Sequence, residues 1–245
     1  MEKIELYEVI GLGRSGHHAF MNWILNNLVG FQIEWKYKFT RAADTNFYIL
    51  DEGSHDVEGS FNFINQNIDE ISSLMVGYEE CDWDFGLFSL KHKFVGPNSV
   101  YGVAKKSFDY KGRFLIVRDF FNILASRIKK NENVGYEIFD VRKEFIEKWK
   151  NHARACVNSK VEYIKFEDWS SNEIIRKKFL EKNLNTKEIF KIERIKGTES
   201  SFGSTKDVHD RFNQISLPDD IKNIIREDQE LFYLMGALGY NYKKI

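Results

Sequence analysis

The stretch from Glu5 to Ile10 reads as an apolar strand. It runs without a break into the glycine-rich turn Gly11-Leu12-Gly13-Arg14-Ser15-Gly16-His17-His18. A helical pattern starts at once beyond the turn, with Phe20, Ile24 and Leu28 on one face of His17 to Leu28. Strand, tight turn and helix in direct succession open a βαβ unit. Further strands are expected at Asn46 to Leu50, Leu87 to Phe94, Arg113 to Val117 and Val161 to Phe166. The continuous apolar run before Arg118 suits a strand covered on both faces. Helices are expected over Phe121 to Lys130, Asp140 to Val157, Ile174 to Leu180 and Asp219 to Leu238. Val141, Phe145, Trp149 and Cys156 form the apolar stripe of the second of these, Pro218 lies near the start of the last, and Gly239 stops it. Strands alternating with helices predict an α/β fold with a mainly parallel central sheet. Ligands in such sheets collect at the carboxyl ends of strands, and the motifs below all fall there.

The 245 residues contain two prolines, no Pro/Gly/Ser-rich linker and no internal repeat, so residues 1–245 are read as one domain. Lys plus Arg is 36 and Asp plus Glu is 37; a net charge of −1 gives no overall attraction to nucleic acid or to anionic membranes. Any anion site must therefore be local. No apolar run reaches membrane-spanning length, and the first residues lack a basic segment followed by an apolar core. Cys81 and Cys156 alone make neither a disulfide framework nor a zinc site; both are expected to be buried thiols of a reducing, cytoplasmic protein.

Glycines let backbone amides approach phosphate oxygens, and the start of a helix adds partial positive charge. Gly11 to Gly16 matches the G-x-x-x-x-G half of a P-loop. The Lys and Ser/Thr that would hold phosphate and magnesium in a nucleoside triphosphatase are replaced by His17 and His18. Arg14 offers another cation, a planar fork suited to phosphate or sulfate oxygens. His17 and His18 either donate to a phosphate or are ordinary first-turn residues, and the whole segment can also be read as a structural turn with a surface arginine. A second cation, Arg118, ends the apolar strand, and Ser126 follows eight positions later. The two can converge on one anion; alternatively Arg118 pairs with Asp119 or a helix carboxylate.

The loop G-x-G-R-S-G, followed by V-R-D and a serine eight positions after the arginine, resembles the sulfotransferases that use 3′-phosphoadenosine 5′-phosphosulfate (PAPS). Val161 to Trp169 looks like the family's strand ending Tyr-Glu-Asp, with Phe166 in place of Tyr, near the adenine. Lys196-Gly197 with Phe202 to Lys206 resembles its late basic loop, and Leu217 to Tyr240 its last helix. The family's Gly-Thr-Thr is here Gly16-His17-His18. The resemblance implies in-line sulfuryl transfer from PAPS to an acceptor hydroxyl on a small molecule or glycan, leaving adenosine 3′,5′-bisphosphate (PAP), with no metal. It gives Gly13, Arg14, Ser15, Gly16, His17 and His18 to the 5′ end of the donor. Arg14 also stabilises the leaving group. Arg118, Ser126 and Lys196 or Lys206, with Gly197, take the 3′-phosphate, and Phe166 the adenine.

A hydroxyl acceptor needs a base. His92 resembles the histidine of the family's Lys-x-His strand end, although Lys91 is adjacent to it rather than two away. Glu34 stands about where other branches carry a glutamate. Both also read as solvated surface groups. Asp51 and Glu52 are weaker candidates, while His55, His152 and His209 are read as surface or partly buried. Tyr37, Phe39, Phe61, Phe63, Trp83 and Phe85 read as core, or as the lining of an acceptor pocket. Two other functions fit the same loop: a small-molecule kinase using ATP and magnesium, and a nucleotide-binding relative without catalysis.

Overall fold

A computed structural model of the chain describes residues 3–30, 40–41, 47–51, 69–79, 107–134, 143–188, 212–214, 216–217 and 219–240. The strands are β1 (Lys3–Gly11), β2 (Thr40–Arg41), β3 (Phe47–Asp51), β4 (Ser73–Glu79), β5 (Ser107–Val117) and β6 (Glu162–Lys165). The helices are α1 (His17–Val29), α2 (Phe120–Val134), α3 (Lys143–Val157), α4 (Phe166–Ser171), α5 (Glu173–Leu184), α6 (Asp219–Glu227) and α7 (Gln229–Ala237). They form one sheet in the order β2-β3-β4-β1-β5-β6. The pairs β3–β4, β4–β1, β1–β5 and β5–β6 are parallel, and β2 is antiparallel to β3.

Alternation along β1 sorts its side chains to two cores. Ile4, Leu6 and Ile10 join α2, α3, α6 and α7 on one face. Tyr7 and Val9 join α1, α4 and α5 on the other. The chain therefore leaves β1 toward one face and leaves β5, its neighbour, toward the opposite face. That reversal opens a crevice at the carboxyl ends of β1 and β5.

The predicted α/β class holds. Four details differ. One of the two strands beside β1 is β4, which is not among the expected strands; Leu87 to Phe94 lies outside the described residues. β4 carries Gly77, a poor strand residue that is needed here, because a Cβ would run into the sulfur of Met21 on α1. The last helix is two helices, because the Asp228 carboxylate accepts from the Leu231 amide at 2.9 Å and starts α7 afresh. Phe166 heads α4 instead of ending β6. His152 is buried, at 1% exposure, because it shares the inward face of α3 with Phe145, Trp149 and Cys156. Cys156 is buried as expected, whereas Cys81, His55, His209 and Pro218 lie outside the described residues.

β5 contains a bulge. Leu6 pairs with Tyr110 and Tyr7 with Gly112, which leaves Lys111 as the extra residue. Tyr110 and Arg113 are three apart and would point to opposite faces of a regular strand. The bulge sends both toward Glu8 of β1, which is 1% exposed. Glu8 accepts from Arg113 Nε at 3.0 Å, from Tyr110 at 3.1 Å and from Tyr78 at 3.1 Å. A buried carboxylate is tolerated when paired and fully hydrogen-bonded in this way. Among the described residues, no helix is long and apolar enough to cross a membrane.

Candidate functional site

The turn between β1 and α1 occupies the crevice. Arg14 and Gly16 both have positive φ, 72° and 92°. Positive φ at 14 and 16, with Ser15 between, makes a tight turn that the Ser15 amide closes by donating to the Leu12 carbonyl at 2.9 Å. For a residue with a side chain this conformation costs about 1–2 kcal/mol. Gly16 cannot be replaced cheaply on a second count, since a Cβ there would enter the Phe166 ring. α1 starts at Gly16 with no side-chain cap and no acidic residue in its first turn. Ser15 is buried, and its Oγ has no hydrogen-bond partner.

The loop is held from the β5 side. Arg118 Nη1 donates to the Arg14 carbonyl at 2.9 Å, and Arg127 Nη2 to the Gly13 carbonyl at 3.4 Å. The Arg14 side chain reaches back, its Nε donating to Ser126 Oγ on α2 at 3.0 Å. Residues 14 and 126 thus meet directly, and residue 118 grips the backbone of residue 14. Three groups drawn from distant parts of the sequence are one cluster.

Arg118 is 2% exposed. Its guanidinium lies 4.4 Å from the centroid of the Phe166 ring, a cation–π contact, and Arg127 stacks in the same manner on Phe145 at 4.3 Å. Burial pulls Arg118 down to about 10, against the opposing pull of Glu167 and Asp119, so it stays charged at neutral pH. Trp149 Nε1 donates to the Arg118 carbonyl at 2.9 Å. Asp119 is committed elsewhere: its carboxylate accepts from the Asn122 amide at 2.9 Å and caps α2.

His17 follows Gly16, but its imidazole turns back into the core at 2% exposure, with Nε2 3.1 Å from the Val9 carbonyl. A carbonyl only accepts, so Nε2 carries the proton. What His17 offers an anion at the loop is its backbone. His18 is partly exposed, its ring 5.1 Å from that of His17. Phe166 is buried, with Arg118 on one side and Gly16 close by. His92, Glu34, Lys196, Gly197 and Lys206 lie outside the described residues, as do Tyr37, Phe39, Phe61, Phe63, Trp83 and Phe85. The sequence reading gave no role to Glu167, Tyr240, Trp149 or Arg127. Only Glu167 left a signal, an acidic residue directly after an apolar strand and beside a site candidate.

Two buried guanidinium contacts, an orphaned buried hydroxyl and an uncapped helix start together suit a phosphorylated or sulfated ligand. Among the described residues no cluster of three His, Cys, Asp or Glu side chains could hold a metal ion. No family profile matches the sequence, and no curated protein matches it. Among solved structures the chain is similar to the sulfotransferase domain from the curacin biosynthetic pathway. The TM-score is 0.51 and the identity 14%, over 98% of this chain and 99% of that one. With strand order, glycine turn and crevice already in view, this likeness shows that the chain has a sulfotransferase-like fold.

Proposed function

We propose that the protein transfers a sulfuryl group from PAPS to a hydroxyl of a small-molecule or glycan acceptor, in the cytoplasm and without a metal. One observation carries the reading: Arg14, Arg118 and Ser126 meet at the glycine turn, in the crevice of a sulfotransferase-like sheet. The acceptor oxygen forms a bond to sulfur while the bond from sulfur to the 5′-phosphate oxygen breaks, and PAP departs with the electron pair. The residues align this exchange and stabilise the charge that moves onto the leaving oxygen. Arg14 serves that oxygen, and the amides and Ser15 hydroxyl of the turn serve the 5′-phosphate. Arg118 and Ser126 take the 3′-phosphate together with Lys196 or Lys206 and Gly197, and Phe166 lies toward the adenine. Because Arg14 rests on Ser126, that hydrogen bond opens when a phosphate takes the serine, which releases the guanidinium toward the sulfuryl end. His92 or Glu34 accepts the acceptor's proton.

The buried imidazole of His17 weighs against a kinase, because no lysine or hydroxyl follows Gly16 to hold ATP and magnesium. Thermal shift tests the donor class: PAP without magnesium should stabilise the protein, by mass action. Stabilisation only by ATP with magnesium refutes the reading. Labelled PAPS incubated with sugars, phenols and peptides should then give a sulfated product by mass. Binding of PAP with no product from any class would leave a non-catalytic nucleotide binder.

A further inference from the structure

We propose that Glu167 is the positioning residue of this site: it orients the Arg118 guanidinium, and Tyr240, just beyond α7, holds Glu167 in place. The inference rests on the donor-binding reading above and deepens it. Glu167 Oε1 stands 4.0 Å from Arg118 Nε, an ion pair too long for a hydrogen bond, and accepts from the Asp119 amide at 3.2 Å. Its other oxygen, Oε2, accepts from the Tyr240 hydroxyl at 3.1 Å. The same hydroxyl lies 3.5 Å from the Val117 carbonyl, so it spans the end of β5 and the start of α4. Lys165 ties this corner further: its Nζ donates to the Leu238 carbonyl at 3.3 Å and sits 5.6 Å over the Tyr240 ring.

The charges facing Arg118 are Glu167, Asp119, Arg14 and the Tyr240 hydroxyl. Asp119 caps the start of α2, whereas the carboxylate of Glu167 is ion-paired with the guanidinium. A guanidinium meant to grip an arriving anion has to be oriented before the anion comes, by neighbours whose own positions are locked. Glu167 is locked by an amide and a tyrosine, and Phe166, one residue earlier, supplies the surface on which Arg118 lies. Two consecutive residues, together with the Arg14 carbonyl that accepts from Nη1, therefore set the plane and the direction of the cation.

The test compares affinities for adenosine 3′,5′-bisphosphate and adenosine 5′-monophosphate in the wild type, Glu167→Gln and Tyr240→Phe, with a melting curve for each. Glu167→Gln should lose about tenfold for the bisphosphate and less than about twofold for the monophosphate, the scale of one weakened bond to a charged group. Tyr240→Phe should lose about threefold with the same selectivity. A purely structural role would lower both affinities alike, or only the melting temperature, and either result overturns the proposal. If Glu167→Gln does not fold, Tyr240→Phe decides alone: a selective loss supports the proposal and an unchanged ratio overturns it. A wild type that binds both nucleotides equally defeats the donor reading itself, and that result is visible before any variant is made.

Discussion

Two helices begin side by side at the carboxyl ends of β1 and β5, and they begin differently. α2 is closed: the Asp119 carboxylate accepts from its first turn, and the carboxylate of Glu167 sits against the Asp119 amide. α1 is open: Gly16 supplies no capping side chain, and its first turn has no acidic residue. Every helix start presents amide hydrogens that need an acceptor. Where the protein supplies its own carboxylate, that need is met by the fold. At α1 the chain has arranged positive φ, nearby guanidinium groups and a buried serine instead. The contrast supports the proposed anion site at α1, with the β5 side holding the turn.

The strongest attack on this contrast is to remove the cation of the open end. Arg14→Ala should reduce sulfuryl turnover by about 10²–10³-fold, the scale of one lost donor to a transition-state charge, while the melting temperature changes little. Turnover within a few-fold of wild type would refute the assignment of Arg14. Gly16→Ala comes next. It adds a side chain at φ 92° and against Phe166, and should cost about 2–3 kcal/mol of stability together with loss of PAP binding. Chemical denaturation and calorimetry read both, and unchanged PAP affinity would mean that the turn is not the cradle. Asp119→Ala opens the closed end. It should cost about 1 kcal/mol, the usual value of a cap, as a lower urea midpoint with unchanged slope. A neutral result would erase the distinction between the two helix starts.

The smallest effect is a pH dependence. Burial holds the Glu167 carboxyl above its ordinary value, against the opposing influence of Arg118. The folded chain therefore binds this proton more tightly than the unfolded chain does. The group's contribution is most favourable below the unfolded value and declines as pH rises through the raised one. Stability of the wild type relative to Glu167→Gln should fall across that interval, read from urea midpoints at successive pH values. A difference that grows with pH would show that pairing with Arg118 outweighs burial.

Much of the fold was legible because its signals are local. Glu5 to Ile10 runs straight into glycines, Arg113 to Val117 is an apolar run that suits a strand buried on two faces, and Gly13, Gly16, Arg118 and Ser126 stand at recognisable intervals. β4 was not legible: Ser73 and Gly77 dilute its apolar pattern, and the reason for Gly77 is Met21 on another element. His17 looked like a phosphate donor because position along the chain says nothing about which way a ring turns. Its burial depends on β1 and β4 lying beneath it. The direct meeting of Arg14 with Ser126 was equally hidden, since the family resemblance implies separate ends of one ligand for the two. Glu167 was hidden for a related cause: its partners Asp119 and Tyr240 approach from β5 and from the far side of α7.

The extra residue in β5 has a consequence for how this strand tolerates change in length. Deleting Lys111 would leave Tyr110 and Arg113 two apart on one face of a regular strand, so Glu8 would keep both partners. Drawing Lys111 into the ladder would do the reverse: everything upstream would invert and Tyr110 would turn away. Glu8 would then lose the phenol of Tyr110 while keeping its negative charge in an interior with little water. The strand can therefore lose its surplus residue but cannot absorb it into the pairing.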